Sequence, residues 1–526
     1  MPGLAQRLAV NTLHNAAGRV WVIGVTLVLT AYAVGRLGTD AFAIWSVVTA
    51  VSSYAGVFDL GAGSSFAKFV AEYRTRGDVA GISAVVSGGL VFYLAGALAV
   101  GAAALAGEPL LARAFHLPPE LVPVFRDVLR LAVLGFAAQN IANAFRAVIF
   151  GLQRVDVMRR IWVWTGGIQL VAAVAALELG GGLRGLAIAN LVYLALVAGW
   201  SAWAAARLCP GMRVSPRAVR WPLLRQLLGF GGQLQLVSLA SLVHMQVDKL
   251  ILPAAASLKS AAFYDLGQKA ARGIQTIPLM MTDVVLPAAS ELNALGDRGR
   301  LVELYRRGSR CVALVTLPLV AITVAAAPAV VRAWLGPGFD PAVPCLVVTA
   351  LAYGLHVMTG MGTAVARGMG RPELEVRATT LMAVVHVAGS VVLVPRFGLG
   401  GALAALAVAG MAGNLAFLRP FHAALDYPAL RFVREVVIRP LGAAAAAAAL
   451  AWGAGALVGG MGAGGRLGAL AVLGVEGVVF VLAVLPLLVL ARAVGPDEHA
   501  LLAGVLGKLG AERPPIREIE ERRWAA

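Results

Sequence analysis

Apolar runs of about 20 residues, the length an α-helix needs to cross a bilayer core, recur along the whole chain and alternate with short polar connections. They predict fourteen transmembrane helices, with errors of several residues at each end: 16–34, 42–63, 82–106, 128–150, 161–179, 184–206, 228–251, 262–290, 309–331, 343–365, 376–395, 399–417, 438–458 and 467–493. The first run is long and lacks a convincing small-residue cleavage site, so it reads as a retained helix rather than a secretory signal. The longest outer connection, 107–127, reads as an interfacial segment.

The pattern repeats. Arg113-Ala114-Phe115 followed by Pro118 returns 219 residues later as Arg332-Ala333-Trp334 followed by Pro337, and Gly77-Asp78 returns at the same offset as Gly296-Asp297. Phe42 is echoed by Phe263, Gly151 to Asp156 by Gly368 to Glu373, and Gly182-Leu183-Arg184-Gly185 by Gly398-Leu399-Gly400-Gly401. Matches in this order describe one duplicated unit of about 220 residues. Six spans per unit is an even number, so the second copy enters the membrane in the same orientation as the first. The expectation is an all-α integral membrane fold of two parallel six-helix bundles plus two extra C-terminal helices, with a substrate site between the bundles. The divisions expected are 1–220 and 221–425 for the bundles, 426–495 for the added pair and 496–526 for a charged cytoplasmic tail.

Composition narrows the class. A chain that is 60% hydrophobic and 13% charged, with mean hydropathy +0.82, does not have the make-up of an ordinary soluble protein. Its net charge of +17 raises the question of nucleic acid, but the cations are segregated. Lys68, Arg74 and Arg76, then Arg154, Arg159 and Arg160, then Arg298, Arg300, Arg306 and Arg307 fall in alternate connections, and the intervening ones are mostly poor in cations. This is the positive-inside pattern, which predicts a multi-pass protein of the inner (plasma) membrane with both termini cytoplasmic and no nucleic-acid partner. The three cysteines form no CxxC pair and the seven histidines show no ligand spacing, so no metal site is expected. His244, His356 and His386 read as core residues. There is no GxxxxGK[ST] sequence, hence no cofactor is expected, and energy would come from the substrate gradient or from coupling to an H+ or Na+ gradient.

Read with this topology, GTDAFAIWSVVTAVSSYAGVFDLGAGSSFAKFVAEYRTRGD at 38–78 resembles the opening signature of the polysaccharide biosynthesis flippases. Residues 246–292 resemble the seventh and eighth helices of those proteins, and IFGLQRVDVMRR at 149–160 their fourth-to-fifth loop. The resemblance covers most of the chain and implies membership of the multidrug, oligosaccharidyl-lipid and polysaccharide exporter superfamily. It implies two six-helix bundles around a central cavity, alternating access, and an undecaprenyl-diphosphate-linked oligosaccharide as the passenger, with the bilayer as its second partner. Polysaccharide polymerase or glycosyltransferase machinery would work beside it.

Ionisable side chains inside a span are expensive and must face a wet cavity, find a partner or reach an interface. On the eighth span Asp265, Lys269 and Arg272 stand at i, i+4 and i+7, with Gln268 and Gln275 close to the same line. The two readings are a cationic surface for a diphosphate headgroup, which Arg binds through several directed hydrogen bonds, and an internal Asp265–Lys269 ion pair. The seventh span carries Gln235, Ser238, Ser241 and Asp248 at helical steps, and the first carries Asn11, Asn15, Arg19, Thr26 and Thr30. By the resemblance, basic residues on such helices line the cavity, which makes Arg19, Lys269 and Arg272 the candidate substrate-binding cations. Asn15, Gln235, Ser238, Asp248, Asp265, Gln268 and Gln275 are the candidate polar lining, and no residue is assigned to catalysis. Arg19 also lies where it could reach the headgroups instead. Asp59 and Asp248 are candidates for ion coupling, with structural use, such as a local Asp248–Lys249 pair, as the competing reading.

The expected function is flipping of the lipid-linked repeat unit from the cytoplasmic to the outer leaflet. A lipid II flippase is the nearest alternative, followed by a drug/cation antiporter and an integral-membrane polysaccharide enzyme.

Overall fold

The computed structural model describes residues 2–55, 62–219, 221–279, 281–282, 285–460 and 465–494. The Asp59 expectation and the 496–526 tail lie outside the described residues. Among the described residues the chain is built from helices and short turns, as the apolar periodicity predicts.

In chain order the helices are α1 (Pro2–Ala55), α2 (Ala62–Thr75), α3 (Val79–Ala106), α4 (Glu108–Ala114), α5 (Val122–Gly151), α6 (Val155–Glu178) and α7 (Gly182–Leu208). There follow α8 (Trp221–Gln246), α9 (Asp248–Ala255), α10 (Leu258–Leu279), α11 (Val285–Ala294), α12 (Arg298–Ala325) and α13 (Ala327–Leu335). The last are α14 (Ala342–Gly368), α15 (Glu373–Leu425), α16 (Ala429–Phe432), α17 (Ile438–Gly460) and α18 (Gly465–Leu490). Two of these contain a turn. Gly38 in α1 (φ 76°) and Gly398 in α15 (φ 55°) take positive φ, which L side chains rarely adopt, and each joins two helices. Counting each as two helices, and α8–α9 and α10–α11 as one broken span each, the longer described helices fall in number and order on the fourteen predicted spans, of which 42–63 and 262–290 are described in part. Among the described residues ten helices are long and apolar enough to cross a membrane. Outward faces carry exposed Leu98, Val171, Leu482 and Leu490, as a lipid-facing surface requires.

The repeat extends to the backbone. Gly77 and Gly296 share a positive φ of 67° and 68°, and the next residue in each case, Asp78 or Asp297, caps a helix by accepting from the backbone N–H of Gly81 or Arg300. Gln153 (φ 58°) and Gly370 (φ 71°) turn the next equivalent connection, followed by the ion pairs Arg154–Asp156 and Arg371–Glu373. The Arg113 and Arg332 motifs both sit on short helices, α4 and α13, that follow the third span of each unit.

The two halves pack directly at the end remote from these arginine-rich turns. Val34, Phe42 and Ala43 of α1 share one core with Ala262, Leu266 and Ile274 of α10 and Ala327 and Val331 of α13. The Trp334 indole donates to the Leu27 carbonyl of α1 at 2.9 Å. Within the second half α10 lies against α14, and Gly267 permits that approach: an added Cβ would stand 2.4 Å from the Cys345 Cβ and 2.7 Å from backbone.

Gly267→Ala should therefore lower the apparent Tm, because overpacking a helix contact costs about 1–3 kcal/mol. Gly273→Ala on the same helix meets nothing within 4 Å and should leave Tm unchanged or raise it slightly. Thermal unfolding of the purified variants in detergent checks both, and equal behaviour of the two would refute the packing account.

Candidate functional site between the halves

The eighth-span stripe runs from the packed interior to an open cavity. Asp265 is buried and receives two ammonium groups: Lys249 Nζ of α9 at 2.6 Å and Lys269 Nζ of its own helix at 2.7 Å. Gln268 is buried too, its side-chain N–H donating to the Met245 carbonyl at 2.9 Å. Lys269 also lies 4.9 Å from the centre of the Phe42 ring of α1, a cation–π contact across the halves. It lines a narrow cavity of about 140 Å³ with Thr26, Thr30, Phe42, Gln169 and Asn190.

One turn further on, Arg272 lines a larger cavity of about 620 Å³. Its walls are Trp21 to Thr26 of α1 (all but Gly24), Phe150 at the end of α5, Arg159, Trp162 and Gln169 of α6, Tyr193 of α7, and Thr276 of α10. The two cavities share Val25, Thr26 and Gln169, so they are neighbours along one cleft. The larger one reaches the start of α6, next to the Arg154 turn. It combines two guanidinium groups, indole and phenol faces, and a wide apolar wall. That set accommodates an amphiphile with an anionic head: guanidinium for phosphate, aromatic faces for sugar or alkyl groups, and aliphatic surface for a chain.

The structure brings together some of the expected residues. Lys269 and Arg272 line the cleft, as do Thr26 and Thr30 of the first-span stripe. It corrects others. Asp248, Asp265 and Gln268 are buried between helices rather than exposed on the cavity wall. Asp248 does not pair with Lys249, because adjacent residues on a helix point in different directions; Lys249 turns to Asp265, and Asp248 turns to His386 Nε2 at 2.9 Å and to the Ser390 hydroxyl at 2.7 Å. Gln275 is half-buried on α10 and Ser238 exposed on α8. For Asn15, Arg19 and Gln235 the helix backbone is described but the side chains lie outside the described residues. Among the described residues no group of three His, Cys, Asp or Glu side chains is placed to hold a metal ion.

Arg159, Trp162 and the Gln169–Asn190 pair, joined at 3.2 Å, escape the sequence reading. Arg159 counts there as one more loop cation. The polar amides of the fifth and sixth spans were the available signal. Glu178 also finds a local role, pairing with Arg36 and Tyr32.

This arrangement, two helical bundles with a cleft between them, has solved counterparts. In fold it is similar to an inward-facing MATE-family multidrug transporter of the MOP superfamily (TM-score 0.68, 15% identity, 77% of this chain and 94% of that one). It is similar also to the lipid II flippase MurJ in an inward closed conformation (0.64, 12%, 89% and 96%) and to a point mutant of the Vibrio cholerae MATE transporter VcmN (0.57, 16%, 82% and 99%). Residues 84–344 match the sequence model of a family described as polysaccharide biosynthesis protein. No curated protein matches the chain in sequence. Together the family match and the shared fold support the recognition, made from the sequence, of a polysaccharide biosynthesis flippase family.

Asp265 is the shared partner of Lys249 and Lys269, so its removal strands both. Asp265→Ala should destabilise the fold by about 3–5 kcal/mol, whereas Lys249→Ala or Lys269→Ala leaves a neutral pair behind and should cost clearly less. Yield and apparent Tm of the three variants test the ranking, and a Lys249 variant as damaged as the Asp265 variant would contradict it.

Proposed function

We propose that the protein flips an undecaprenyl-diphosphate-linked oligosaccharide, a polysaccharide repeat unit, from the cytoplasmic to the outer leaflet of the inner membrane. The observation that carries this reading is the cleft between the halves, where Arg159 and Arg272 share one cavity with Trp21 and Trp162 and Lys269 lines the adjoining one. A diphosphate is the headgroup such cations favour, and the aromatic faces suit the attached sugar. The apolar wall is matched to the polyprenyl chain, which keeps contact with the bilayer.

The cleft lies toward the arginine-rich turns while the halves pack together at the other end. Under the positive-inside assignment, with both termini cytoplasmic, this is a carrier ready to load from the cytoplasm. Alternating access would then open the Trp334 end and close the Arg159 end. Glycosyltransferases supply such a passenger and a polymerase consumes it. Nothing in this scheme requires bond making by the protein, and its structural neighbours are transporters and flippases.

Lipid II is the second reading. It presents the same diphosphate and polyprenyl chemistry, and the lipid II flippase is similar in fold over 89% of this chain. A cationic drug is disfavoured because it would meet three cations in the cleft and, among the described lining residues, no carboxylate opposite them.

Lys269→Ala combined with Arg272→Ala, with protein still in the membrane, should slow translocation by at least about tenfold, from the loss of two charge-assisted contacts. Substrate should accumulate on the cytoplasmic leaflet, measured as lipid-linked glycan inaccessible from outside. Normal translocation would sink the assignment, and accumulation of lipid II instead would transfer it to the second reading.

A further inference from the structure

A cavity of about 330 Å³ lies outside the cleft, where α13 packs against the C-terminal pair α17 and α18. Trp452, Gly455 and Gly459 stand on one face of α17, Ala469 and Glu476 on one face of α18, and Arg332 comes from α13. Apart from Arg332, Trp452 and Glu476, every residue of the wall is Gly, Ala, Val or Pro. Small residues by themselves serve close helix packing in a bilayer. The carboxyl group is what sets this gap apart.

Glu476 is 4% exposed, and its Oε2 has no hydrogen-bond partner. Gly455 makes room for the group, since an added Cβ there would stand 2.5 Å from Glu476 Oε1. Arg332 is committed elsewhere, its Nη2 lying 3.0 Å from Asp340 Oδ1. At the start of α18, Arg466 donates to the Ala333 and Trp334 carbonyls, which fixes α18 beside α13 at the outer end. Glu476 is ten residues further along α18, about 15 Å deeper at the helical rise. Beyond it Ala447, Ala451, Phe480 and Val484 form a packed core, so the cavity is blind at its deep end.

A carboxyl group at this depth calls for a proton or a cation. Among the described residues of the wall no side chain supplies the cation. A metal ion requires a shell of oxygens, and this wall offers a single carboxyl group. An ammonium ion with an apolar substituent matches every part. Its nitrogen meets the carboxylate, its chain lies on the Gly and Ala faces, and the Trp452 indole, one turn from Gly455, presents a cation–π surface.

We propose that this cavity binds a lipophilic amine entering from the bilayer, held as an ammonium–carboxylate pair with Glu476. The neutral amine and the neutral acid meet in the hydrocarbon, and the proton passes from the carboxyl oxygen to the nitrogen with no other bond made or broken. The occupant lies against α13, whose Trp334 indole joins the two halves. The site is separate from the cleft, so its test is independent of the glycan reading.

The test is the apparent Tm of the full-length purified protein in detergent with N,N-dimethyldodecylamine, compared with dodecanol, which has the same chain and no basic nitrogen. The amine should raise the Tm of the parent protein by about 2 °C, and dodecanol should leave it unchanged. Glu476→Gln keeps the shape but loses the charge, and Gly459→Leu fills the cavity from a position where an added Cβ meets only Val472 at 3.8 Å. Both substitutions should abolish the shift. An unshifted parent, an equal shift with dodecanol, or an undiminished shift in either variant would overturn the proposal. The comparison of amine with dodecanol needs no variant, so it decides even if both substitutions impair folding.

Discussion

The low dielectric of the membrane interior governs how the second half is put together. Asp265 satisfies two ammonium groups at once, and the interior tolerates this cluster only because every member is paired. Lys249 fixes α9 against α10. Lys269 stays on α10 but reaches Phe42 of α1, which carries the same ion cluster to the seam between the halves. With Lys249 committed to Asp265, its neighbour Asp248 on α9 must find a partner elsewhere, and it finds His386 of α15. The local register of three helices follows from which charge neutralises which.

The repeated scaffold therefore carries unequal interiors. Turn residues recur with the same backbone angles in both halves, because those angles set the direction of the next helix. Side chains facing inward are under no such constraint. Ile44 to Val51 of α1, the counterpart of the charged stretch of α10, carries no charge. The cavity beside it is lined by Thr49, Ser52, Ser53, Gln139 and Asn190, which are neutral and hydrogen-bond locally. The first half thus offers a mild polar wall, and the second half supplies most of the charge.

The number and order of the helices were legible in the sequence because a bilayer leaves the backbone few options. The turn at Gly398 could be placed from a repeat match alone. The site was legible only where a charge stood out against an apolar span, as with Lys269 and Arg272. Arg159 was hidden by its position near a helix end, where a cation reads as a loop residue. Asp248 was read against its sequence neighbour, whereas its actual partners come from a helix more than a hundred residues away. The buried histidines carried no spacing signal at all, since their association is created by packing α8, α14 and α15 together.

Asp248 and Lys249 are consecutive, and this adjacency relates the two ionic clusters. One side of α9 faces His386, and the other faces Asp265 and, through it, Lys269 at the cleft. A change of charge at either end alters the field at the other over a few side-chain lengths of protein interior, where it is screened far less than in water. Any shift of α9 that lengthens the Lys249–Asp265 contact also disturbs the Asp248–His386 contact, since both are borne by the same short helix. The Lys249–Asp265–Lys269 cluster and the Asp248–His386 contact therefore bear on one short helix rather than on two independent elements.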